Sequence, residues 1–235
     1  MKIVVTIAVT LVLLGFSCST QSSCPSNFKQ ILKPGCIDDK SILSQNPEAK
    51  MIDDLREGLW LWNYPDGTRY LEAEYSHGQP HGYWKYYSEN GKLQRQEYYY
   101  QGKAAGLWQY YTSTGALQME ILHYQQNSTR EHIYYFPGGD IAYRQKFVKT
   151  DIYRLDGYSA EYYKHGQLRF ETYFENGEIA GYQRWYYPNG QLMMEGFQKN
   201  GQHLGVWTKY DVNGIVQEQT IAPDPHWVYQ HIPLE

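Results

Sequence analysis

The chain has 235 residues, enough for one large domain or two small ones, and a net charge of −4 from 21 Lys and Arg against 25 Asp and Glu. This near-balance argues against a nucleic-acid-binding protein, because phosphate binding needs a basic surface that the composition does not supply. Aromatic residues make up 17% of the chain and 25 residues are Tyr, which argues against intrinsic disorder. Aromatic rings, rather than the usual Leu, Ile and Val, must supply most of the apolar surface.

The N-terminus has the pattern of an export signal. Lys2 precedes an apolar run from Ile3 to Phe16, and a Ser-rich stretch follows. The run has the length of a signal-peptide core and is shorter than the roughly 20 residues that a membrane-spanning helix needs. A buried helix is the alternative interpretation of the same run. We predict a signal peptide over residues 1–17.

Two cleavage sites compete at the end of this segment. Residues 13–18, Leu-Leu-Gly-Phe-Ser-Cys, resemble the lipobox of bacterial lipoproteins, although Leu14 stands four residues before Cys18 rather than three. Residues 15–17 also fit an ordinary signal-peptidase site, which would leave no lipid. We predict that Cys18 is lipidated and that the protein is exported to the bacterial cell envelope. The N-terminal lipid would then be its sole membrane contact.

The number of cysteines supports this prediction. The chain has three cysteines, and lipid on Cys18 leaves Cys24 and Cys36 as a plausible disulfide in a tether over residues 18–45. A bridge closing a loop of about 13 residues would stabilise the fold by roughly 3 kcal/mol. The alternative is that Cys24 and Cys36 are free thiols.

A short helix is predicted over residues 46–57, where it would cap the open edge of the sheet that follows. Asn46 can serve as its N-cap, Pro47 suits the first helical position, and Gly58 would end it. Helical spacing places three apolar residues on one face: Met51, Ile52 and Leu55.

From residue 58 the chain repeats. Glycines recur every 24 residues in two groups, Gly58, Gly82 and Gly106, then Gly157, Gly181 and Gly205. Counting a further 24 residues from Gly106 gives position 130, which is Arg rather than Gly. This position starts a degenerate fourth unit. Seven units therefore occupy residues 58–228, and residues 229–235 form a C-terminal tail.

Four more positions of the unit recur. A second glycine stands nine residues after each start, at Gly67, Gly91, Gly115, Gly139, Gly166, Gly190 and Gly214. A Trp stands two residues after the start, at Trp60, Trp84, Trp108 and Trp207. A Tyr stands five residues after it, at Tyr87, Tyr111, Tyr135, Tyr162, Tyr186 and Tyr210. An aliphatic residue stands eleven residues after it, at Leu93, Leu117, Ile141, Leu168, Leu192 and Val216.

Each unit has the pattern of a β-hairpin, because two aromatic-rich runs flank turns such as Asn90-Gly91 or Asn189-Gly190. Proline stands two residues before the turn glycine in three units. This spacing suits a type I turn followed by a left-handed Gly, and hence a three-residue loop. On that register the Tyr and aliphatic columns share one face and the Trp column lies on the other.

These elements resemble MORN repeats, most closely a bacterial variant described as antitoxin-like. The clearest matches are residues 82–93, with Gly-Tyr-Trp-Lys-Tyr-Tyr and then Asn-Gly-Lys-Leu, and residues 187–192, Tyr-Pro-Asn-Gly-Gln-Leu. The resemblance implies an all-β fold, an elongated single-layer antiparallel meander of stacked hairpins. Unit four and residues 125–130 depart from the pattern, so we expect an irregular sheet there.

No catalytic motif is present, and we predict neither enzymatic activity nor a bound cofactor or metal. The eight His residues show no paired metal-ligand spacing, and Cys24 and Cys36 lack the further cysteines of a zinc site. Four carboxylates recur in register, Glu72, Glu120, Glu171 and Glu195. A catalytic pair would occur once, so we interpret this column as strand surface.

We predict a repeat scaffold that binds a protein or peptide along its aromatic sheet. The predicted binding surface comprises Trp60, Trp84, Trp108, Tyr86, Tyr87, Tyr110 and Tyr111. Because rings also hold single-layer sheets together, a purely structural role for the Trp column is the alternative. Two other functions remain open: a module that binds cell-wall glycan or peptidoglycan, and an antitoxin-like neutraliser of a partner protein. A nucleic-acid partner is not expected.

Overall fold

The computed structural model describes residues 50–124, 128–149 and 152–223, together with Val228. All of them lie in one compact unit, residues 38–235. The predicted signal peptide, lipidation site, disulfide and C-terminal tail lie outside the described residues.

Every secondary-structure element of this part is a β-strand. The strands are β1 (Lys50–Ile52), β2 (Leu55–Asn63), β3 (Arg69–Ser76), β4 (Gln79–Tyr87), β5 (Leu93–Tyr100), β6 (Lys103–Tyr111), β7 (Leu117–Tyr124), β8 (Thr129–Tyr135), β9 (Ile141–Lys149), β10 (Tyr153–Tyr162), β11 (Leu168–Glu175), β12 (Glu178–Ile179), β13 (Gly181–Tyr186), β14 (Leu192–Lys199), β15 (Gln202–Tyr210) and β16 (Val216–Ile221). They form one open antiparallel sheet in chain order, with β12 pairing only with β11. The predicted all-β meander is confirmed.

The turn inside each unit is the predicted three-residue loop. In the first unit Gly67 N–H donates to the Tyr64 carbonyl at 2.9 Å, and Tyr64 N–H donates to the Thr68 carbonyl at 2.8 Å. Gly67 has φ of +88°, a left-handed conformation that a Cβ would strain. The same pair of bonds recurs in all seven units. The turn chemistry therefore fixes the register of every hairpin.

Consecutive units are joined at the opposite end of the strands by tighter turns. Two-residue loops with positive φ at both positions occur at His77-Gly78, Gln101-Gly102, Asn176-Gly177 and Asn200-Gly201. Their geometry is that of type I′ turns, which match the twist of antiparallel strands.

The predicted helix over residues 46–57 is wrong for residues 50–57. These residues form β1, a turn and the start of β2, with Ile52 paired to Leu55. The turn residues Asp53 and Asp54 have φ of +49° and +60°, a conformation that Asp tolerates better than most residues. The hairpin adds a strand to the sheet, so the edge is extended by pairing rather than capped.

Unit four keeps the strand register of the other units, but it has a longer connection in place of a bulge. Elsewhere a bulge beside the unit's first glycine shifts the pairing, as between Ala73 and Tyr75 on β3. Arg130 stands at that position in unit four, and β8 pairs with β7 without a shift. The connection from Tyr124 to Thr129 is longer instead, with four residues between the paired ends. The sheet therefore continues through unit four.

Cross-strand pairing assigns side chains to two faces. Tyr87 lies opposite Leu93, as Tyr111 lies opposite Leu117, while Trp84 lies opposite Glu97 on the other face. The predicted division of the columns is confirmed. We call the side that carries Trp60, Trp84 and Trp108 the tryptophan face.

Candidate functional site: two faces of one sheet

A continuous ladder of rings runs across the tryptophan face from β2 to β7. Successive centroid distances are 6.3 Å for Trp60–Tyr75, 5.1 Å for Tyr75–Trp84, 5.4 Å for Trp84–Tyr99, 5.2 Å for Tyr99–Trp108 and 4.5 Å for Trp108–His123. Tilted contacts at these distances are favourable beyond the apolar area they bury. The ladder therefore links neighbouring hairpins.

Two of the indoles also bond to the backbone. Trp84 Nε1 donates to the Glu74 carbonyl at 3.0 Å, and Trp108 Nε1 donates to the Tyr98 carbonyl at 2.9 Å. Both carbonyls lie on the preceding strand, beside the bulge, where ladder hydrogen bonding is interrupted. Trp84 and Trp108 thus stabilise the bulges as well as the rings around them.

This arrangement divides the residues of the predicted binding surface between the two faces of the sheet. Trp84 and Tyr86 are only 1% and 5% exposed, and neither can offer area to a partner. Trp60, Trp108 and Tyr110 are half-buried on the same face.

The other two predicted residues, Tyr87 and Tyr111, point to the opposite face and are half-buried there. This separation follows the predicted division of the columns, because the pleat places successive side chains on opposite faces.

A buried polar cluster lies beside the ladder. Glu97, 3% exposed, accepts hydrogen bonds from Tyr99 at 2.9 Å and Tyr110 at 3.4 Å, and lies 3.5 Å from Arg95 Nε. Burial raises the pKa of the Glu97 carboxyl above its ordinary value, while the Arg95 guanidinium lowers it. The Arg95 guanidinium also lies 3.7 Å from the Tyr86 ring centroid. These contacts hold β4, β5 and β6 together.

Unit four places three basic side chains on the same face. His123 lies opposite Arg130, and His132 follows two residues later on β8. His123 Nε2, Arg130 Nε and His132 Nε2 are buried without hydrogen-bond partners. Burial, with a smaller contribution from Arg130, lowers the pKa of His123 to about 4 and of His132 to about 3. Both imidazoles are therefore neutral near pH 7.

The C-terminal end of the tryptophan face is covered by the chain itself. Val228, 1% exposed, joins a cluster of buried residues with Trp185, Met193, Met194 and Trp207. His203 Nδ1 donates to the Pro223 carbonyl at 3.1 Å. The tryptophan face is therefore closed at the C-terminal end of the repeat array.

The opposite face carries a row of apolar side chains near the bulges. We call it the exposed stripe, and its residues are Leu59, Tyr83, Tyr98, Leu107, Leu122, Tyr158, Tyr173, Tyr182, Phe197, Val206 and Ile221. Seven of these side chains are exposed, and the other four are half-buried. The stripe aligns accessible apolar side chains along most of the described sheet.

Sequence reasoning missed the stripe, although a signal was present. Its members stand one residue after the unit's first glycine, or at the position paired with that residue across the hairpin. Three hairpins place rings there as edge-to-face pairs, at 5.1 Å for Tyr83–Tyr98, 5.7 Å for Tyr158–Tyr173 and 5.4 Å for Tyr182–Phe197. Because the residue type in this column varies among Leu, Tyr and Val, the column is harder to recognise in the sequence than the Trp column.

Unit four interrupts the stripe. Glu131 and Lys146 stand at the stripe positions of β8 and β9 and lie opposite each other. Arg144 Nε also lies 3.0 Å from Glu131 Oε1. The stripe therefore has an N-terminal and a C-terminal part.

The recurring carboxylates lie on the stripe face and bond to the Tyr column. The hydroxyl groups of the Tyr column donate hydrogen bonds to these carboxylates. The distances are 3.2 Å for Tyr87–Glu72, 2.7 Å for Tyr186–Glu171 and 3.2 Å for Tyr210–Glu195. Tyr135 donates in the same way to Glu120 at 2.5 Å. Burial and the neighbouring carboxylate raise the pKa of Tyr135 to about 12, so its hydroxyl remains a donor. The interpretation of this column as strand surface agrees with these contacts.

No three His, Cys, Asp or Glu side chains of residues 50–124, 128–149 and 152–223 come together as metal ligands would. In the same part of the chain, no helix has the length and apolar character required to cross a bilayer.

Comparison with known families identifies the hairpins. The MORN repeat variant matches residues 56–77, 80–101, 155–176 and 179–200. These four segments carry the MORN-repeat pattern. The four matched segments are the first, second, fifth and sixth units, and the other three units form the same hairpin turn. MORN repeats are generally modules that bind proteins or membranes. No curated protein matches the chain.

Proposed function

We propose that the chain is a non-enzymatic scaffold that binds a protein partner along the exposed stripe of its MORN repeats. The observation that supports this most directly is the repetition of accessible apolar side chains at one position of the unit, on the face opposite the ring ladder. Aromatic residues at accessible positions are typical of protein interfaces, because each ring adds large contact area at little entropic cost.

Charge on the same face favours a protein over a lipid surface. The carboxylates of Glu72, Glu120, Glu171 and Glu195 lie beside the stripe. An anionic lipid headgroup would be repelled by them, and a bilayer would have to desolvate them. A protein can instead place polar groups opposite them, as the rim of an ordinary interface does.

We further propose that binding takes place in the bacterial cell envelope, with the chain held at the membrane by lipid on Cys18. The lipobox-like residues 13–18 and the odd number of cysteines support this location. A Cys18→Ala variant should move from the membrane fraction to the soluble fraction after detergent partitioning. Wild-type protein that already partitions into the aqueous phase would contradict the lipid anchor.

The binding proposal is tested by capture from envelope extract. The stripe variant carries Tyr83→Ser, Tyr98→Ser, Tyr173→Ser and Tyr182→Ser. Its matched control, Tyr143→Ser, removes a tyrosine that is 37% exposed on the tryptophan face. We expect wild type and control to retain the same protein, and the stripe variant to lose it at a temperature where thermal melting shows that it is still folded.

Two results would contradict the proposal. One is equal retention of the captured protein by the folded stripe variant. The other is retention of the wild-type chain by purified cell-wall material with no protein captured, which would favour the glycan-binding alternative.

A further inference from the structure

The C-terminal part of the stripe contains a depression of about 120 Å³ lined by Tyr158, Glu171, Thr172, Tyr173, Tyr182 and Arg184. We call it the cradle. It lies where β10, β11 and β13 are neighbours in the sheet. Tyr173 and Tyr182 are 55% and 52% exposed, so the rings at its rim are open to an incoming group.

A hydrogen-bond network organises the polar side of the cradle. Glu171 accepts hydrogen bonds from the Tyr158 hydroxyl at 3.0 Å and from the Tyr186 hydroxyl at 2.7 Å. Burial raises the pKa of both tyrosines, and Glu171 raises it further. Both hydroxyls therefore stay protonated and donate to Glu171.

Arg184 lies between two carboxylates. Its Nε donates to Glu195 Oε2 at 3.1 Å, and its Nη1 lies 3.5 Å from Glu171 Oε1. The hydrogen bond to Glu195 raises the pKa of Arg184, so the guanidinium stays charged. Two carboxylates against one guanidinium leave an excess of one negative charge at this place.

The rings add to the attraction for a cation. The faces of Tyr158, Tyr173 and Tyr182 carry the negative lobe of the aromatic quadrupole. The Arg184 guanidinium already uses this attraction, since its carbon lies 5.2 Å from the Tyr182 ring centroid. An anionic group entering the cradle would meet Glu171 and these ring faces, and Glu195 already pairs with Arg184 beside them.

We propose that the cradle takes a lysine or arginine side chain of the protein partner. This inference rests on the proposed function and names the chemistry of the partner: a basic residue flanked by apolar residues, which contact the stripe on either side. The cation would lie among the three tyrosines, and its charge would balance the excess carboxylate. The interaction combines cation–π attraction with an ion pair.

The experiment titrates the full chain, labelled with ¹⁵N, with two capped peptides at low ionic strength. One peptide has the sequence Gly-Leu-Lys-Leu-Gly, and the other has Glu in place of Lys. We expect the Lys peptide to shift the amides of Tyr173, Tyr182 and Arg184 and to bind at least about threefold more tightly than the Glu peptide. The difference should shrink as salt is added.

Charge variants give the sharper test, because they change affinity in opposite directions. Glu195→Gln removes the excess negative charge and should lower the affinity for the Lys peptide by about threefold or more. Arg184→Gln doubles the excess negative charge and should raise the affinity for the Lys peptide. The reverse order of the two variants, or tighter binding of the Glu peptide, would overturn the inference and assign Arg184 as an anion-binding residue.

A stripe residue outside the cradle supplies the control. Tyr83→Ala and Tyr182→Ala remove the same exposed ring from equivalent positions of units two and six. Only Tyr182→Ala should lower the affinity for the Lys peptide. Equal effects of the two variants would contradict the proposal that the cradle binds the peptide. Thermal melting of each variant checks the fold.

Failure here is separable from failure of the proposed function. If the stripe variant loses its captured protein but the charge variants bind both peptides alike, the cradle inference fails and the protein-binding stripe remains. If the stripe variant retains the captured protein, the proposed function itself fails.

Discussion

Two consecutive residues of β4 show how differently the two faces of the sheet are used. Trp84 is 1% exposed, contacts the rings on both sides of it and donates its indole N–H to the backbone. Tyr83 is 46% exposed, and its ring contacts the Tyr98 ring. The Trp column, the more regular of the two in sequence, therefore stabilises the sheet. The stripe column beside it, which is less regular, provides the accessible surface.

The largest expected effect separates these two residues directly. Trp84→Ala removes a buried ring and an indole hydrogen bond, and should lower the free energy of unfolding by about 3–5 kcal/mol. Tyr83→Ala should lower it by about 1 kcal/mol or less, because little buried area is lost. Urea denaturation followed by tryptophan fluorescence measures both. Equal destabilisation by the two variants would show that the faces do not differ in this way.

Acid pH should weaken the tryptophan face at unit four. The folded-state pKa values of His123 and His132 are about 4 and about 3, below the ordinary value of about 6.5. The unfolded chain therefore binds these protons first, so their contribution to stability is complete above pH 6.5 and is lost as the pH falls toward 3. For the buried His132 the loss should be on the order of 2 kcal/mol at pH 5.

The pH dependence is measured by denaturation at pH 7 and pH 5. His132→Gln should lose less stability than wild type between these two values. His77→Asn, which changes an exposed loop histidine, should lose as much as wild type. If His132→Gln has the wild-type dependence, the buried histidine is not the group that titrates.

A smaller effect is expected at the hairpin turn of unit four, where two glycines are adjacent. Gly139 has φ of +94°, whereas Gly138 lies outside the left-handed region. Gly139→Ala should cost about 1–2 kcal/mol, since an L side chain is strained there. Gly138→Ala should be nearly neutral, because an added Cβ would meet only Asp140 Oδ2, at 3.8 Å. Thermal melting compares the two, and equal melting temperatures would argue against the left-handed loop.

The stripe should show the smallest effect on stability and the largest on binding. The stripe variant removes four rings that are exposed or half-buried, so each substitution should change the free energy of unfolding by about 1 kcal/mol or less. Calorimetry would measure this change. A loss per substitution as large as that of Trp84→Ala would assign the stripe to the fold rather than to a partner.

Local turn chemistry explains how much of this fold the sequence could predict. Asn90-Gly91 and the equivalent turns fix loop length, register and the face of each column, so the meander follows from neighbouring residues alone. The hairpin at Asp53-Asp54 could not be found in this way, because it contains no glycine and its flanking residues also suit a helix.

The candidate site was harder to predict than the fold. Burial of Trp84 depends on rings contributed by β3 and β5, which the spacing of one column does not reveal. The stripe positions are filled by Leu59, Tyr83 or Val206 alike, since an exposed position tolerates many apolar residues. The cradle needs residues from three strands, and their juxtaposition is set by the register of two hairpins.

The most direct measurement is a tyrosine-labelling footprint of the full chain, alone and in the complex captured from envelope extract. Exposed tyrosines occur on both faces, so one experiment compares Tyr83, Tyr173 and Tyr182 of the stripe with Tyr143 of the tryptophan face. We expect the partner to protect the three stripe tyrosines and to leave Tyr143 as reactive as in the free chain. Protection of Tyr143 with unchanged labelling of the stripe would contradict the account, because the partner would then bind the face that we assign to the fold.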